Sequence, residues 1–368
     1  MPAVERSLIG RPGKIGSEGP MSRLSPRCIS KRLRHHRGAA RPIAIALLAP
    51  LAAIAAASCS RRGRPIALVD TTLLKAPPSA AAAPNGFTRV GITAGFESPE
   101  SAVYDSAQNV WYVSNIVGGA TDKDHNGFIS RLTADGMMDS LHFIKSGVGG
   151  AILDGPKGLA IHGDTIWAAD IDVARAFDKT TGKPLATVSF RPMHALLLNA
   201  MAIGPDGRVY ITDTAIQLEN GQPKHVAPDR IYVIGPGLKP GIAVQDSSME
   251  GADGISWDAT RNRFLVVGFT GKAITTWRPG ESKVQHLTSG VGQFDGAQVL
   301  ADGRALVSSW ADSSLFVLTG DSLHRVVAGG LPTPADLHVD PRTMRIAIPL
   351  SSQNEVMFYQ MPRQVAAR

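Results

Sequence analysis

The chain has 368 residues and a formal net charge of +7, a balance that by itself would suit a nucleic-acid partner. The charge is unevenly placed, because ten of the 38 Lys and Arg residues but only two of the 31 Asp and Glu residues lie within residues 1–58. The rest of the chain carries 28 basic and 29 acidic residues, so it has no positive excess to attract a phosphate backbone. Composition therefore excludes nucleic acid as an expected partner.

The N-terminal region has the order of features found in secretory signals. A basic segment at residues 31–37 precedes an apolar run at residues 43–57, which is short for a bilayer span of about 20 residues. Small residues then lead to Cys59, an arrangement that resembles the bacterial lipoprotein signal. We predict a signal peptide over residues 1–58 with Cys59 acylated, and thus an exported protein lipid-anchored to the membrane, facing the periplasm or exterior. An uncleaved anchor helix, or ordinary cleavage giving a secreted or periplasmic protein, remain alternatives.

The start of translation is open between Met1 and Met21, since the first twenty residues add nothing that a signal needs. The two cysteines, Cys28 and Cys59, both lie in or beside the signal, so the body of the chain contains no disulfide. An exported domain of this kind must be stabilised by core burial. Residues 59–85 are rich in Ala and Pro, which predicts a flexible tether.

From residue 86 onward one β-module recurs six times, with 40 to 57 residues between copies. The first strands of the copies begin at Glu100, Lys157, Asn199, Asp253, Asp295 and Ala335. Four antiparallel strands in this length are typical of a propeller blade. We therefore predict an all-β fold over residues 86–362, a six-bladed β-propeller of four-stranded blades, followed by a tail at residues 363–368. The segment 87–92 is expected to supply the outer strand of the last blade and close the ring; a β-sandwich or parallel β-helix fits six similar modules less well.

The innermost strands of a propeller begin on one face beside the central channel, so the six starting residues should converge there. The ends of the second strands should reach the same face and add Asn115, Asp170 and Asp213. Oxygen ligands from several blades suit a divalent cation such as Ca²⁺, Mg²⁺, Mn²⁺ or Zn²⁺, and nothing indicates an organic cofactor. Alternatively, the Asp-Gly pairs could be turns that open strands.

Three short motifs resemble the gluconolactonase / senescence marker protein (regucalcin-like) family of six-bladed propellers. They are Glu100-x-x-Val-Tyr-Asp105, the Asn199 strand with its Pro-Asp-Gly turn and Tyr-Ile-Thr-Asp213, and Asp253-Gly-Ile. The resemblance implies that Glu100, Asn199 and Asp253 hold a divalent metal, and that Asp253 is the general base of a lactone or small-ester hydrolase. We expect Lys157 to be catalytic as well, and substrate to contact Asn115, Asp170, Asp213 and Asp295.

Lys157 departs from the family, in which this position is usually Asn. Its ammonium could pair with Glu100 or Asp253 and take the metal's place, bind an anionic substrate, or stabilise an oxyanion. The four tryptophans of the repeat strands, Trp310 among them, are expected to pack the blades.

The alternative function is a non-catalytic, surface-tethered propeller that binds a sugar, a peptide or a protein partner. Another propeller enzyme, similar to strictosidine synthase, is a third possibility. In every case the expected contact with a membrane is through the lipid anchor alone.

Overall fold

The computed structural model describes residues 86–219, 222–226 and 228–362. The predicted signal peptide, Cys59, the tether and the C-terminal tail lie outside these described residues. Within them, no helix combines the length and apolarity that crossing a membrane requires. The only helical segments of the described chain are single 3-10 turns, at Arg191–Met193, Pro236–Leu238, Ser247–Met249 and Ser351–Gln353.

The strands form six four-stranded antiparallel sheets, and each sheet is one blade. Blade 1 contains β2 (Pro99–Asp105), β3 (Val110–Asn115), β4 (Phe128–Thr133) and β5 (Met138–Lys145). Blade 2 contains β6 (Pro156–His162), β7 (Thr165–Asp170), β8 (Val173–Asp178) and β9 (Pro184–Ser189). Blade 3 contains β10 (Leu198–Ile203), β11 (Val209–Asp213), β14 (Arg230–Gly235) and β15 (Lys239–Gln245), with an inserted hairpin of β12 (Ile216–Glu219) and β13 (Gln222–His225).

The remaining blades follow the same order. Blade 4 contains β16 (Ala252–Asp258), β17 (Arg263–Gly268), β18 (Ala273–Trp277) and β19 (Gln285–Ser289). Blade 5 contains β20 (Phe294–Val299), β21 (Ala305–Ser309), β22 (Ser314–Thr319) and β23 (Ser322–Val327). Blade 6 contains β24 (His338–Asp340), β25 (Arg345–Leu350), β26 (Glu355–Gln360) and β1 (Thr88–Ala94), which pairs antiparallel with β26. The predicted six-bladed all-β propeller is confirmed.

The hydrophobic core is divided among the blade interfaces. Six buried clusters occur, and each joins two neighbouring blades. The cluster between blades 6 and 1 contains Trp111 and Phe358, whose rings meet edge to face with centroids 5.8 Å apart. Every blade buries both of its faces against neighbouring blades. An isolated blade would expose these apolar faces to water and would not be stable.

The innermost strands carry a shared irregularity. In blades 1 to 5 the pairing of the inner strand slips directly after its first residue, as between Pro99 and Ala102. Such β-bulges redirect side chains. The residues inside the five bulges include Glu100, Lys157, Asn199, Asp253 and Asp295, the starting residues of the sequence repeats.

Blade 6 differs from the expected pattern. Its inner strand was expected from Ala335, but regular pairing starts only at His338. The backbone of Asp336 bonds instead to blade 1: its N–H donates to the carbonyl of Glu100, and its carbonyl accepts from the N–H of Ala102. The inner strands of the last and first blades are thus joined directly.

Gly254 and Gly296, which follow Asp253 and Asp295, allow close packing of the inner strands. A Cβ on Gly254 would stand 2.3 Å from the carbonyl oxygen of Asp295, and one on Gly296 would stand 2.8 Å from the Cα of Asp336. Both glycines lie within strands, so the alternative that the Asp-Gly pairs are strand-opening turns is wrong. They allow adjacent inner strands to approach closely around the axis.

Candidate active site

Five bulge residues from five blades line one cavity of about 260 Å³. They are Glu100, Lys157, Asn199, Asp253 and Asp295. All five side chains are buried, so the charges and amides of this group lie in a region that excludes most water. Five of the six starting residues that were expected to converge therefore lie around one cavity, because the inner strands start side by side; Ala335 does not line it.

Glu100, Asp253 and Asp295 form a compact cluster of carboxylates. Each offers one oxygen, and the three oxygens lie within 4.8 Å of one another. Burial raises the pKa of all three well above the ordinary value, and neighbouring carboxylates raise it further. Asp295 was predicted to contact substrate; it lies within the carboxylate cluster itself.

Asn199 is held in one orientation beside this cluster. Its Nδ2 donates to Asp253 Oδ2 at 2.8 Å and to Thr214 Oγ1 at 3.1 Å. The opposite amide orientation would press Oδ1 against a carboxylate oxygen, so electrostatics fixes the amide as found. The Asn199 Oδ1 acceptor is thereby left free.

Four buried acceptor oxygens of this group have no donor among the described residues. They are Glu100 Oε2, Asn199 Oδ1, Asp253 Oδ1 and Asp295 Oδ1. Buried oxygens without donors are costly, and a cation removes that cost. An all-oxygen donor set suits Ca²⁺, Mg²⁺ or Mn²⁺ better than Zn²⁺, which favours nitrogen and sulfur. Separations up to 4.8 Å fit around Ca²⁺, whose ligand distances are about 2.3–2.6 Å.

Lys157 bonds to backbone carbonyls and not to the carboxylates. Its Nζ donates to the carbonyl of Ala120 at 2.7 Å and to that of Gly155 at 3.0 Å. Across the described chain, no carboxylate forms an ion pair with it at 4.0 Å or less. Burial lowers the pKa of Lys157, while Glu100 and other carboxylates oppose that shift. Of the alternatives left open by the sequence, a lysine that replaces the cation by direct pairing is the one this geometry disfavours.

The three strand-end residues predicted to bind substrate lie outside the lining of the cavity. Asn115 accepts from the Glu97 N–H through Oδ1, and Asp213 accepts from the backbone N–H groups of residues 196, 197 and 215. Asp170 accepts from the N–H groups of residues 154 and 155 and is paired with Arg175. Their oxygens hold the loops that lead into the inner strands, so the structure gives them a positioning role instead.

Sequence reasoning missed the apolar walls of the cavity. The cavity is also lined by Ile116, Leu197, Ile216, Phe269 and Trp310. The expectation that Trp310 packs a blade is wrong: it directly follows β21 and lines the cavity, at the position that Ile116 and Phe269 occupy after β3 and β17. Aligning the repeat so that Ser309 matches Asn115 would have placed Trp310 beyond the end of the strand.

The fold was compared with known proteins. No family model matches the chain, and no curated protein matches it. Among solved structures, a gluconolactonase from Xanthomonas campestris is 16% identical with a TM-score of 0.55, covering 78% of this chain and 95% of its own. A structural-genomics target assigned to the gluconolactonases is 14% identical (TM-score 0.54; 77% and 93%), and a luciferin-regenerating enzyme is 10% identical (TM-score 0.52; 75% and 96%). The resemblance to gluconolactonases is thus confirmed at the level of the fold.

Proposed function

We propose that the protein is a metal-dependent hydrolase of lactones or small esters, with Glu100, Asn199, Asp253 and Asp295 as the cation ligands. The four buried acceptor oxygens without donors carry this proposal. The likeness of the fold to gluconolactonase structures supports it, and the adjoining cavity is large enough for a small ring.

A divalent cation held by these oxygens would supply a Lewis acid beside the ester carbonyl. Asp253 is the general base in the proposal: Asn199 fixes its Oδ2, which leaves Oδ1 free to take a proton from a water molecule in the cavity. The hydroxide left by that transfer adds to the carbonyl carbon, and the proton held by Asp253 passes to the ring oxygen as the C–O bond breaks.

Lys157 is the second catalytic residue of the proposal. An ammonium has three N–H groups, and two of them are used on the carbonyls of Ala120 and Gly155. The third can donate to the oxygen on which negative charge develops when the ester carbonyl is attacked. The same two bonds hold the loop at Ala120 against the cavity.

The test is hydrolysis of a panel of lactones by the full-length protein before and after chelation, with calcium, magnesium and manganese added back in turn. Glu100→Gln and Asp253→Asn should lose both bound metal and activity. The matched control is Asp164→Asn, because this carboxylate is 93% exposed and lies outside the cavity. Activity that survives complete removal of metal would refute the proposal. Metal binding without hydrolysis of any ester would favour the alternative, a non-catalytic binding propeller.

We also propose that the protein is exported and anchored through a lipid on Cys59, with a small molecule rather than nucleic acid as its partner. The signal-like N-terminal sequence supports this placement. Metabolic labelling with a fatty-acid analogue tests it: label should appear in the wild type and be absent from Cys59→Ser. Label in neither protein would leave ordinary secretion or an uncleaved helix as the explanation.

A further inference from the structure

Five large apolar side chains line the cavity. Ile116 follows β3, Leu197 precedes β10, Ile216 begins the inserted hairpin, Phe269 follows β17 and Trp310 follows β21. These five side chains come from four blades. They share one cavity with the carboxylate group, so a molecule bound there would contact both.

Apart from the cation ligands and Lys157, the polar side chains of the lining are four hydroxyls and the indole N–H of Trp310. Thr214 Oγ1 already accepts from Asn199, and Ser351 Oγ donates to the carbonyl of Pro99 at 2.7 Å. Thr214 keeps its O–H as a donor, and Ser98 and Thr121 supply the other two hydroxyls. A sugar lactone carries several hydroxyl groups, and each one that enters without a partner loses its bonds to water.

Phe269 and Trp310 form an aromatic pair in the wall of the cavity. The rings of Phe269 and Trp310 meet edge to face, with centroids 5.2 Å apart and planes at 87°. The indole Nε1 of Trp310 is buried and meets no acceptor at hydrogen-bonding geometry within the described chain. Both rings line the cavity and add aromatic carbon surface to its wall.

We propose that the substrate is an apolar cyclic ester, a lactone whose ring bears alkyl or aryl carbon instead of several hydroxyl groups. The inference rests on the proposed function for the ester itself, and the walls supply the selectivity. Phe269 and Trp310 are the specificity-determining residues. They contact the hydrocarbon part of the ring while its carbonyl lies toward the carboxylates and Lys157.

Two non-hydrolysable probes separate this inference from the hydrolase proposal. They are an alkyl-substituted six-membered lactam and a polyhydroxylated lactam of the same ring size, titrated calorimetrically into the calcium-equilibrated full-length protein. The alkyl lactam should bind about tenfold tighter or more, since buried hydroxyls without partners are rejected. Trp310→Ala and Phe269→Ala should each reduce the ratio of the two lactam affinities several-fold, which is the effect expected when a few methylene contacts are lost. Trp310→Phe should restore most of it, because an apolar ring remains.

The control is Leu185→Ala, which removes a side chain of an outer strand that is 57% exposed and should leave the ratio unchanged. Equal binding of the two lactams, tighter binding of the hydroxylated one, or no binding of either overturns the inference. An unchanged ratio in both alanine variants also overturns it. If the alkyl lactam binds as expected but no lactone is hydrolysed, the hydrolase proposal fails while the assignment of an apolar cyclic ligand stands.

Discussion

Asp295→Asn should have opposite effects on the metal-free and the metal-bound protein. Asp295 lies within 4.8 Å of the oxygens of both Glu100 and Asp253. Two charges at that distance repel by about 3 kcal/mol in a medium of effective dielectric constant 20. Part of this repulsion is relieved by proton uptake, since the pKa of these carboxyls is raised. Without metal, the substitution should therefore raise the free energy of unfolding by about 1–3 kcal/mol.

The pH dependence has a definite sign. A folded-state pKa above the unfolded value means that stability is fully present below about pH 4, the unfolded pKa of Asp and Glu, and is lost as pH rises through the folded pKa. The chelated wild-type protein should thus lose stability as the pH rises towards neutral. Asp295→Asn should lose less stability over the same pH range. With calcium the order reverses, because the variant loses a ligand and should bind calcium about 100-fold more weakly.

The assay is thermal unfolding of both proteins at neutral pH, with chelator and with excess calcium. In chelator the variant's Tm should be higher by about 2–6 °C, since 1 kcal/mol corresponds to about 2 °C in a domain of this size. With calcium the wild type should gain stability as expected for a ligand that binds only the folded state, and the variant should gain little. A lower Tm for the variant in chelator would refute the reasoning about mutual repulsion.

Three further perturbations follow from single contacts. Lys157→Met should lower kcat/KM of lactone hydrolysis by about 100-fold, because the developing oxyanion loses one hydrogen-bond donor. The same variant should bind calcium more tightly in calorimetry, because a nearby positive charge is removed. Weaker calcium binding would contradict this. Gly254→Ala should lower the free energy of unfolding by about 3 kcal/mol in urea titrations, as its Cβ would meet a backbone oxygen at 2.3 Å, whereas Gly91→Ala, in an ordinary 3.9 Å contact, should change little. Burial lowers the pKa of His338 to about 4, so the stability that His338 confers is present above about pH 6.5 and is lost as pH falls towards 4. In urea titrations across this pH range, the free energy of unfolding of His338→Gln should therefore fall by roughly 1–3 kcal/mol less than that of the wild type. The control His286→Gln, at an exposed position, should behave like the wild type.

The fold was predictable because its sequence signal is repeated. Each module places an alternating strand after a polar residue, and six similar modules of blade length have few ways to bury both faces. The starting residue of each inner strand could be assigned to the site for the same reason. What one sequence did not reveal is the bulge after the first inner-strand residue, which directs Glu100 and Asp253 into the cavity.

The roles of individual polar residues were harder to predict. Asp213 and Asp253 are the same residue type near strand ends, but backbone N–H groups saturate the first while the second keeps a free oxygen. That distinction depends on how the preceding loop folds, which composition does not encode. Trp310 was misplaced because the repeat was aligned one residue too far: the strand pairing matches Ser309 to Asn115, and β21 ends at Ser309.

Calcium titration of the full-length, chelator-stripped protein by calorimetry, with metal content measured on the same sample, tests the central claim most directly. Converging oxygens without donors should take up one cation per chain in the wild type, and Asp253→Asn should bind none at the same concentration. Magnesium and manganese, titrated in parallel, define the preference. A wild-type protein that takes up none of these cations at millimolar concentration would contradict the account.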